Sequence, residues 1–258
     1  MDFRFTLAGL VVGLLVGISG VGGSSILAPI LILLLGVKPI IAVGTDLLYS
    51  VPTKLLATYV HWRARNVDGR IVLALVIGGA PGVLLGLFTV AAVRSHMSYA
   101  DFNSAARHWI GVAILLASAG ALAAQFFALR KRAAQEAPPR DAPTNARLIA
   151  IGFVVGWLVS MTSVGSGSVT LPLLMFTLPR AQLRRLIGSE IAYAACIIPV
   201  AAAGHSLAGD VDWRASLSLI AGSLPGAYAG SKLCARVDEN WLRPVIVGVL
   251  AFAGSRLI

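Results

Sequence analysis

The sequence predicts an all-α polytopic membrane protein made of two homologous halves, and three observations carry that expectation. Of 258 residues, 57% are hydrophobic and only 12% are charged, where a soluble domain carries about 25% charged residues. Mean hydropathy is +0.85, and stretches such as 71–93 and 109–129 hold no charge at all. Each exceeds the roughly 20 apolar residues that cross a hydrocarbon core, and neither alternates as an outer-membrane barrel strand does. The third observation is that the chain repeats itself.

A shift of 143 residues carries Gly9, Gly13, Val21, Gly22, Ser25 and Pro29 onto Gly152, Gly156, Val164, Gly165, Ser168 and Pro172. After one inserted residue, Gly44, Asp46 and Tyr49 fall on Gly188, Glu190 and Tyr193. His61 falls on His205, and Val67, Asp68 and Arg70 fall on Val211, Asp212 and Arg214. Gly78, Pro81, Gly82 and Gly86 continue the match on Gly222, Pro225, Gly226 and Gly230. One single-residue gap over so long a register marks two copies of one unit.

The elements follow in order. The N-terminal repeat, 1–129, opens with apolar material at 4–36 broken by VGGSS and continues in spans at 42–61, 70–92 and 107–129. Residues 17–25 offer no clear small-x-small cleavage site, so the opening run is expected to stay in the mature protein. Residues 130–146, charged and Pro-rich, form the linker, and Arg130, Lys131, Arg132, Arg140 and Arg147 place it in the cytoplasm. The C-terminal repeat, 147–258, has its broken segment at 147–179 and spans at 187–205, 213–233 and 240–257. The net charge of +10 fits an excess of Lys and Arg in cytoplasmic loops better than a nucleic-acid surface. Cys196 and Cys234 lack metal-ligand spacing and are expected as buried packing thiols.

The pieces flanking each break, roughly 13 to 16 residues, are short for a full crossing. If each broken segment crosses once, the halves lie parallel; if each dips in and returns, the halves are inverted. In the second case the basic clusters at 63–70, 130–147, 180–185 and 232–243 all become cytoplasmic, and both termini lie outside. Inverted repeats with re-entrant hairpins are therefore the expected topology.

The breaks carry the functional signal. Gly ends a helix and Ser caps the next one, which leaves amide N–H groups without intrahelical partners. In lipid these cost several kcal/mol each, so such backbone must line a cavity or be buried in protein. A helix starting there aims its amides and dipole at an anion. Paired breaks in matching positions of two halves point to a transporter's binding site, here Gly22, Gly23, Ser24 and Ser25 with Gly165, Ser166, Gly167 and Ser168. Close helix packing is the plainer alternative, and the Gly9/Gly13/Gly17 spacing is assigned to packing.

Asp46 and Glu190 are intramembrane carboxylates, each with a Tyr one turn on, Tyr49 and Tyr193. Coupling or gating and a dipole role in the first turn of a helix both account for them. Lys54 attracts an anion, snorkels or pairs with a carboxylate. His61 and His205 read as interfacial residues at span ends, and the tryptophans as interface anchors. No Walker loop, catalytic triad, metal-ligand set or cofactor motif is present, so no enzyme, metal or cofactor is expected.

The motifs GVGGS with Pro downstream, GTDLLY, the NVD turn and GGAPGVLLG, with SVGSGS, GSE and SLPGAYAG in the second copy, resemble the TauE/SafE family of sulfite-exporter-like membrane permeases. The resemblance covers nearly the whole chain. It implies a multi-pass transporter of the cytoplasmic (inner) membrane for a small anion such as sulfite, thiosulfate, sulfoacetate or a related sulfonate. Its glycine-rich motif falls on Gly20, Gly22, Gly23, Ser24 and Ser25, and the second copy on Gly165 to Ser168, where SGS replaces GGS. A coupled proton or sodium ion and the lipid bilayer are the other expected partners. Two rival readings remain at this stage: a channel-like or cation-coupled carrier using Asp46 and Glu190, and a non-transporting membrane scaffold.

Overall fold

The computed structural model describes residues 2–19, 24–133, 145–178, 181–234, 252 and 254–257, and among them every regular element is a helix, with no strand. The helices are α1 (Phe3–Ser19), α2 (Ser24–Pro29) running into a π-helical turn (Ile30–Leu34), α3 (Pro39–Arg63), α4 (Gly69–His96) and α5 (Tyr99–Ala133). After the linker come α6 (Asn145–Thr162), α7 (Thr170–Thr177), α8 (Leu183–Leu207) and α9 (Trp213–Cys234). Four of these, α3, α4, α6 and α8, are long and apolar enough to cross a membrane. The expected spans at 42–61, 70–92, 107–129, 187–205 and 213–233 fall within α3, α4, α5, α8 and α9. Most of the span at 240–257 lies outside the described residues.

Large apolar side chains such as Leu55, Leu56, Leu73, Ile77, Leu84, Phe88, Leu217 and Leu224 point outward, as they do in lipid, where exposure of Leu costs nothing. The interior instead gathers Ser and Thr: Thr45, Ser50, Ser160, Thr162, Ser163, Ser189, Ser216 and Ser223 are all buried. Small and weakly polar residues let membrane helices approach closely.

Glycines set the closest approaches. Gly9 and Gly13 of α1 abut the backbone of Leu219 and Ser223 in α9, and Gly222 and Gly226 return the contact to Thr6 and Leu10. The repeat partners do the same between α6 and α4: Gly152 and Gly156 meet Leu75 and Gly79, while Gly78 and Gly82 meet Ile149 and Phe153. Residue numbers rise together in both pairs, so α1 runs parallel to α9 and α6 parallel to α4. Each half thus lends its first helix to the other half.

At the centre the repeat partners α3 and α8 pack on each other in opposite directions. Gly44 near the start of α3 meets Asp210 just past the end of α8, and Gly188 near the start of α8 meets Asn66 just past the end of α3. The turns are tied reciprocally: Asp68 N donates to Ser189 Oγ at 2.9 Å, and Asp212 N donates to Thr45 Oγ1 at 3.1 Å. The contacts at the two ends of the α3–α8 pair are thus reciprocal between repeat-equivalent residues.

These directions settle how each broken segment turns. Thr45 meets Ser216, and Tyr49, one turn on, meets Ser223, so α3 runs parallel to α9 and hence to α1. Likewise α6 and α8 run together, with Gly152 at Tyr193 and Ser160 at His205. Two successive helices with one direction require the chain to come back between them. The return limbs are α2 with its π turn and the eight-residue α7. Each broken segment is therefore a hairpin with unequal limbs, and α6, at 18 residues, is longer than the short piece the sequence suggested.

Candidate functional site

The second hairpin turns at residues 163–169, where the backbone leaves helical space. Ser163 has φ 59 and Gly165 φ 122, the latter a conformation that any side chain would strain. Thr162 Oγ1 accepts the Val164 amide at 3.2 Å. The Gly165 carbonyl then gathers Val169 N at 3.2 Å and Thr170 N at 3.1 Å, with Thr170 Oγ1 at 3.0 Å. The bonds leading into α7 are donated from Val169 onward, so the amides of Ser166 and Gly167 stand ahead of the ladder. Residues 163–166 and Ser168 are buried, and Ser166 Oγ has no hydrogen-bond partner. A buried polar atom without a partner costs about 1–3 kcal/mol and marks a place where a ligand atom would be accepted.

In the first hairpin, Gly20, Gly22 and Gly23 lie outside the described residues, while Ser24 and Ser25 are the first two residues of α2. By the repeat they correspond to Gly167 and Ser168.

Asp46 stands at the edge of the second turn. Ser163 Oγ donates to Asp46 Oδ2 at 2.7 Å, while Asp46 Oδ1 is buried and unpartnered. Its repeat partner Glu190 has different company: Lys54 Nζ donates to Glu190 Oε1 at 3.4 Å, with both side chains buried. Of the three roles open to Lys54, pairing with a carboxylate is the one the structure displays. The position equivalent to Lys54 is Ile198, so this ion pair has no second copy. Helices α3 and α8 start at Pro39 and Leu183, which puts both carboxylates about 10 Å into their helices at 1.5 Å per residue. That is two turns in, too deep for the first-turn dipole role.

The tyrosines sit between helices. Tyr193 OH donates to the Gly152 carbonyl of α6 at 2.8 Å, and its ring lies on Gly79 of α4. Tyr49 is buried beside Ser223 of α9, the repeat partner of Gly79. The structure thus brings together Asp46, Ser163 and the second turn, and Lys54 with Glu190, while the tyrosines face neighbouring helices.

A further cluster was missed in the sequence. Asp210, buried in the turn after α8, forms an ion pair with the partly exposed Arg94 at the end of α4 and approaches His205 Nδ1 at 3.4 Å. His205 Nε2 lies 2.8 Å from the Ser160 carbonyl; a carbonyl only accepts, so Nε2 carries the proton. His205 is therefore a core residue, not an interfacial one. Its repeat partner His61 is only half-buried. The signal was a break in the repeat: Asn66 stands where the second copy has Asp210. Cys196 is also corrected: it is exposed, on an apolar groove lined by Leu55, Thr58, Val76 and Ala192.

Residues 5–257 match the family model for the sulfite exporter TauE/SafE. Among curated proteins the chain is similar to the probable membrane transporter protein YjnA of Bacillus subtilis (strain 168), at 33% identity over 263 residues, with 100% of both chains covered. The probable membrane transporter proteins YunE and YdhB of the same organism are each 27% identical; the matches cover 97% and 95% of this chain and 94% and 96% of theirs. No solved structure matches the chain.

Proposed function

Because the chain belongs to the sulfite exporter TauE/SafE family, and so is a multi-pass membrane transporter of the cytoplasmic (inner) membrane, we propose that its cargo is a small sulfur oxyanion or organosulfonate such as sulfite, thiosulfate or sulfoacetate. The observation that carries this is the second hairpin turn: buried backbone ahead of a helix, with Ser166 Oγ lacking any partner. Amides of Ser166 and Gly167 with the Ser166 hydroxyl supply donors to an oxyanion, in protein rather than in lipid. By the repeat, Gly22 to Ser25 of the first broken segment would supply the equivalent donors.

The packing supports alternating access. Helix α1 is locked to α9 and α6 to α4 by glycine contacts, so the units that rock are these interleaved sets, not the two sequence halves. They move across α3 and α8, where Asp46, Lys54 and Glu190 sit as the coupling or gating groups. The antiparallel crossing of α3 and α8 supports inverted halves, and the hairpins support re-entrant segments.

Thermal stability of the purified protein against sulfite, thiosulfate, sulfoacetate, sulfate, acetate and chloride tests the site. A ligand specific to the folded state stabilises it by about 2.7 kcal/mol at one hundred times its Kd. A selective shift with one sulfur anion is expected, and Gly165→Val should remove it, and the flux in proteoliposomes, while the protein stays folded. Flux at the wild-type level in Gly165→Val and in Gly22→Val would sink the site. No shift and no saturable flux with any anion favours the scaffold reading instead.

A further inference from the structure

We infer that Asp46 is the proton carrier of this transporter, alternately binding and releasing one proton, while the equivalent carboxylate Glu190 stays ionised against Lys54. The inference rests on the transport reading above and names its coupling ion.

The two carboxylates occupy equivalent places in the repeat, yet one cation serves both. Lys54 Nζ donates to Glu190 Oε1, and its repeat position is the apolar Ile198. Asp46 is left with a neutral donor, Ser163 Oγ, on Oδ2 and nothing on Oδ1. A buried carboxylate held by neutral serine hydroxyls, with no cation of its own, is costly, because desolvation of a charge is repaid only by a paired and fully hydrogen-bonded partner. Protonation removes that charge and keeps the Ser163 bond, now neutral rather than charge-assisted and so weaker, since Oδ2 still accepts as the carbonyl oxygen of the acid. Glu190 is buried as well, but its charge is answered by a cation, and protonating it would strand the Lys54 ammonium.

Among the described residues, the surroundings of Asp46 leave no other group for the task. On its own helix it faces Lys54, committed to Glu190, and the neutral hydroxyls of Ser50 and Tyr49. From α6 it faces Ser163. The turn after α8, which closes on Gly44, brings Asp210, already paired with Arg94 and against His205.

The placement also explains how a carboxylate can serve an anion transporter. Ser163, bonded to Asp46, is the first residue of the turn that carries the donors of Ser166 and Gly167. An ionised Asp46 repels an arriving anion, and a protonated one does not, so anion and proton favour each other's binding by the same factor. The step balances as a bare proton transfer: water on one face protonates the Asp46 carboxylate, and the acid returns the proton to water on the other. No electron moves and no covalent bond is made to the anion.

Infrared difference spectroscopy of the reconstituted protein between acid and alkaline buffer reads this directly, because a buried protonated carboxyl has its own C=O stretch. The expected result is one titrating buried-acid band that disappears in Asp46→Asn, persists in Glu190→Gln, and moves in Asp46→Glu. Thiosulfate, which carries no proton of its own near neutrality, should deepen the acid band in the wild type. A band untouched by Asp46→Asn, or lost in Glu190→Gln, assigns the proton elsewhere and overturns the inference; so does the absence of any titrating buried acid. The band is read with no anion present, so a failure of the anion site shows separately, as a missing thermal shift with a normal Asp46 band. Should Asp46→Asn fail to fold, the band movement in Asp46→Glu alone decides.

Discussion

Lys54 and Glu190 make an ion pair out of reach of water, and such a pair is worth more to order than to stability. Removing one partner strands a charge, at a cost of about 3–5 kcal/mol, whereas replacing both by apolar groups of similar volume is often neutral or better. Lys54→Met and Glu190→Gln should therefore each lower the melting temperature in detergent, and the combined variant should recover most of the loss. Additive losses in the double variant would mean that the two side chains do not answer each other. This much could be half-read in the sequence: the repeat set Asp46 and Glu190 in matching places, and Lys54 was visibly alone in its span. Which carboxylate Lys54 would choose was not legible, because the choice depends on how α3 crosses α8. The same holds for Asp210, an ordinary loop aspartate by sequence that turns out to be buried beside His205 and paired with Arg94.

Among the elements, the glycines of α1, α4, α6 and α9 decide what packs on what. A Cβ at Gly78 would collide with the Ile149 backbone, and one at Gly222 with the Thr6 backbone, whereas one at Gly69 meets nothing. Backbone cannot step aside as a side-chain tip can, so Gly78→Ala and Gly222→Ala should each destabilise by about 1–3 kcal/mol, the range for overpacking. Gly69→Ala should leave the melting temperature unchanged or raise it by restricting the unfolded chain. Equal effects at all three positions would show that the close approach is not what the glycines are for. Their spacing was plain in the sequence, and the Gly9/Gly13 run was rightly read as packing. The partner was hidden, because nothing local says that α1 will leave its own half and settle on α9. Hairpin lengths were obscured for a related reason: composition marks the break at SVGSGS but not how far α6 extends before it.

For the whole molecule, the antiparallel crossing of α3 and α8 has a consequence that can be measured from outside the cell. The turn at 64–68 follows α3 and the turn at 208–212 follows α8. Since Asn66 meets the start of α8 and Asp210 the start of α3, the two turns lie at opposite ends of the molecule. In a membrane they must open on opposite faces, although the repeat makes them copies of each other. By the positive-inside rule the basic cluster at 63–70 predicts a cytoplasmic first turn, and the second is then expected outside. With Cys196 and Cys234 replaced by Ser, Arg65→Cys should react with a membrane-impermeant maleimide only in inside-out vesicles. Gly209→Cys, the repeat partner of that position, should react in intact cells. Both positions are exposed and in left-handed turns, φ 55 and φ 76, so neither substitution touches the packed helices, and the equal strain at position 209 falls on a solvent loop. Labelling of both from one side would restore parallel halves, in which each broken segment crosses once, and would remove the hairpins along with the inverted repeat. Labelling from opposite sides leaves the breaks as two turns approaching each other from the two faces, which is the geometry an alternating-access site between them requires.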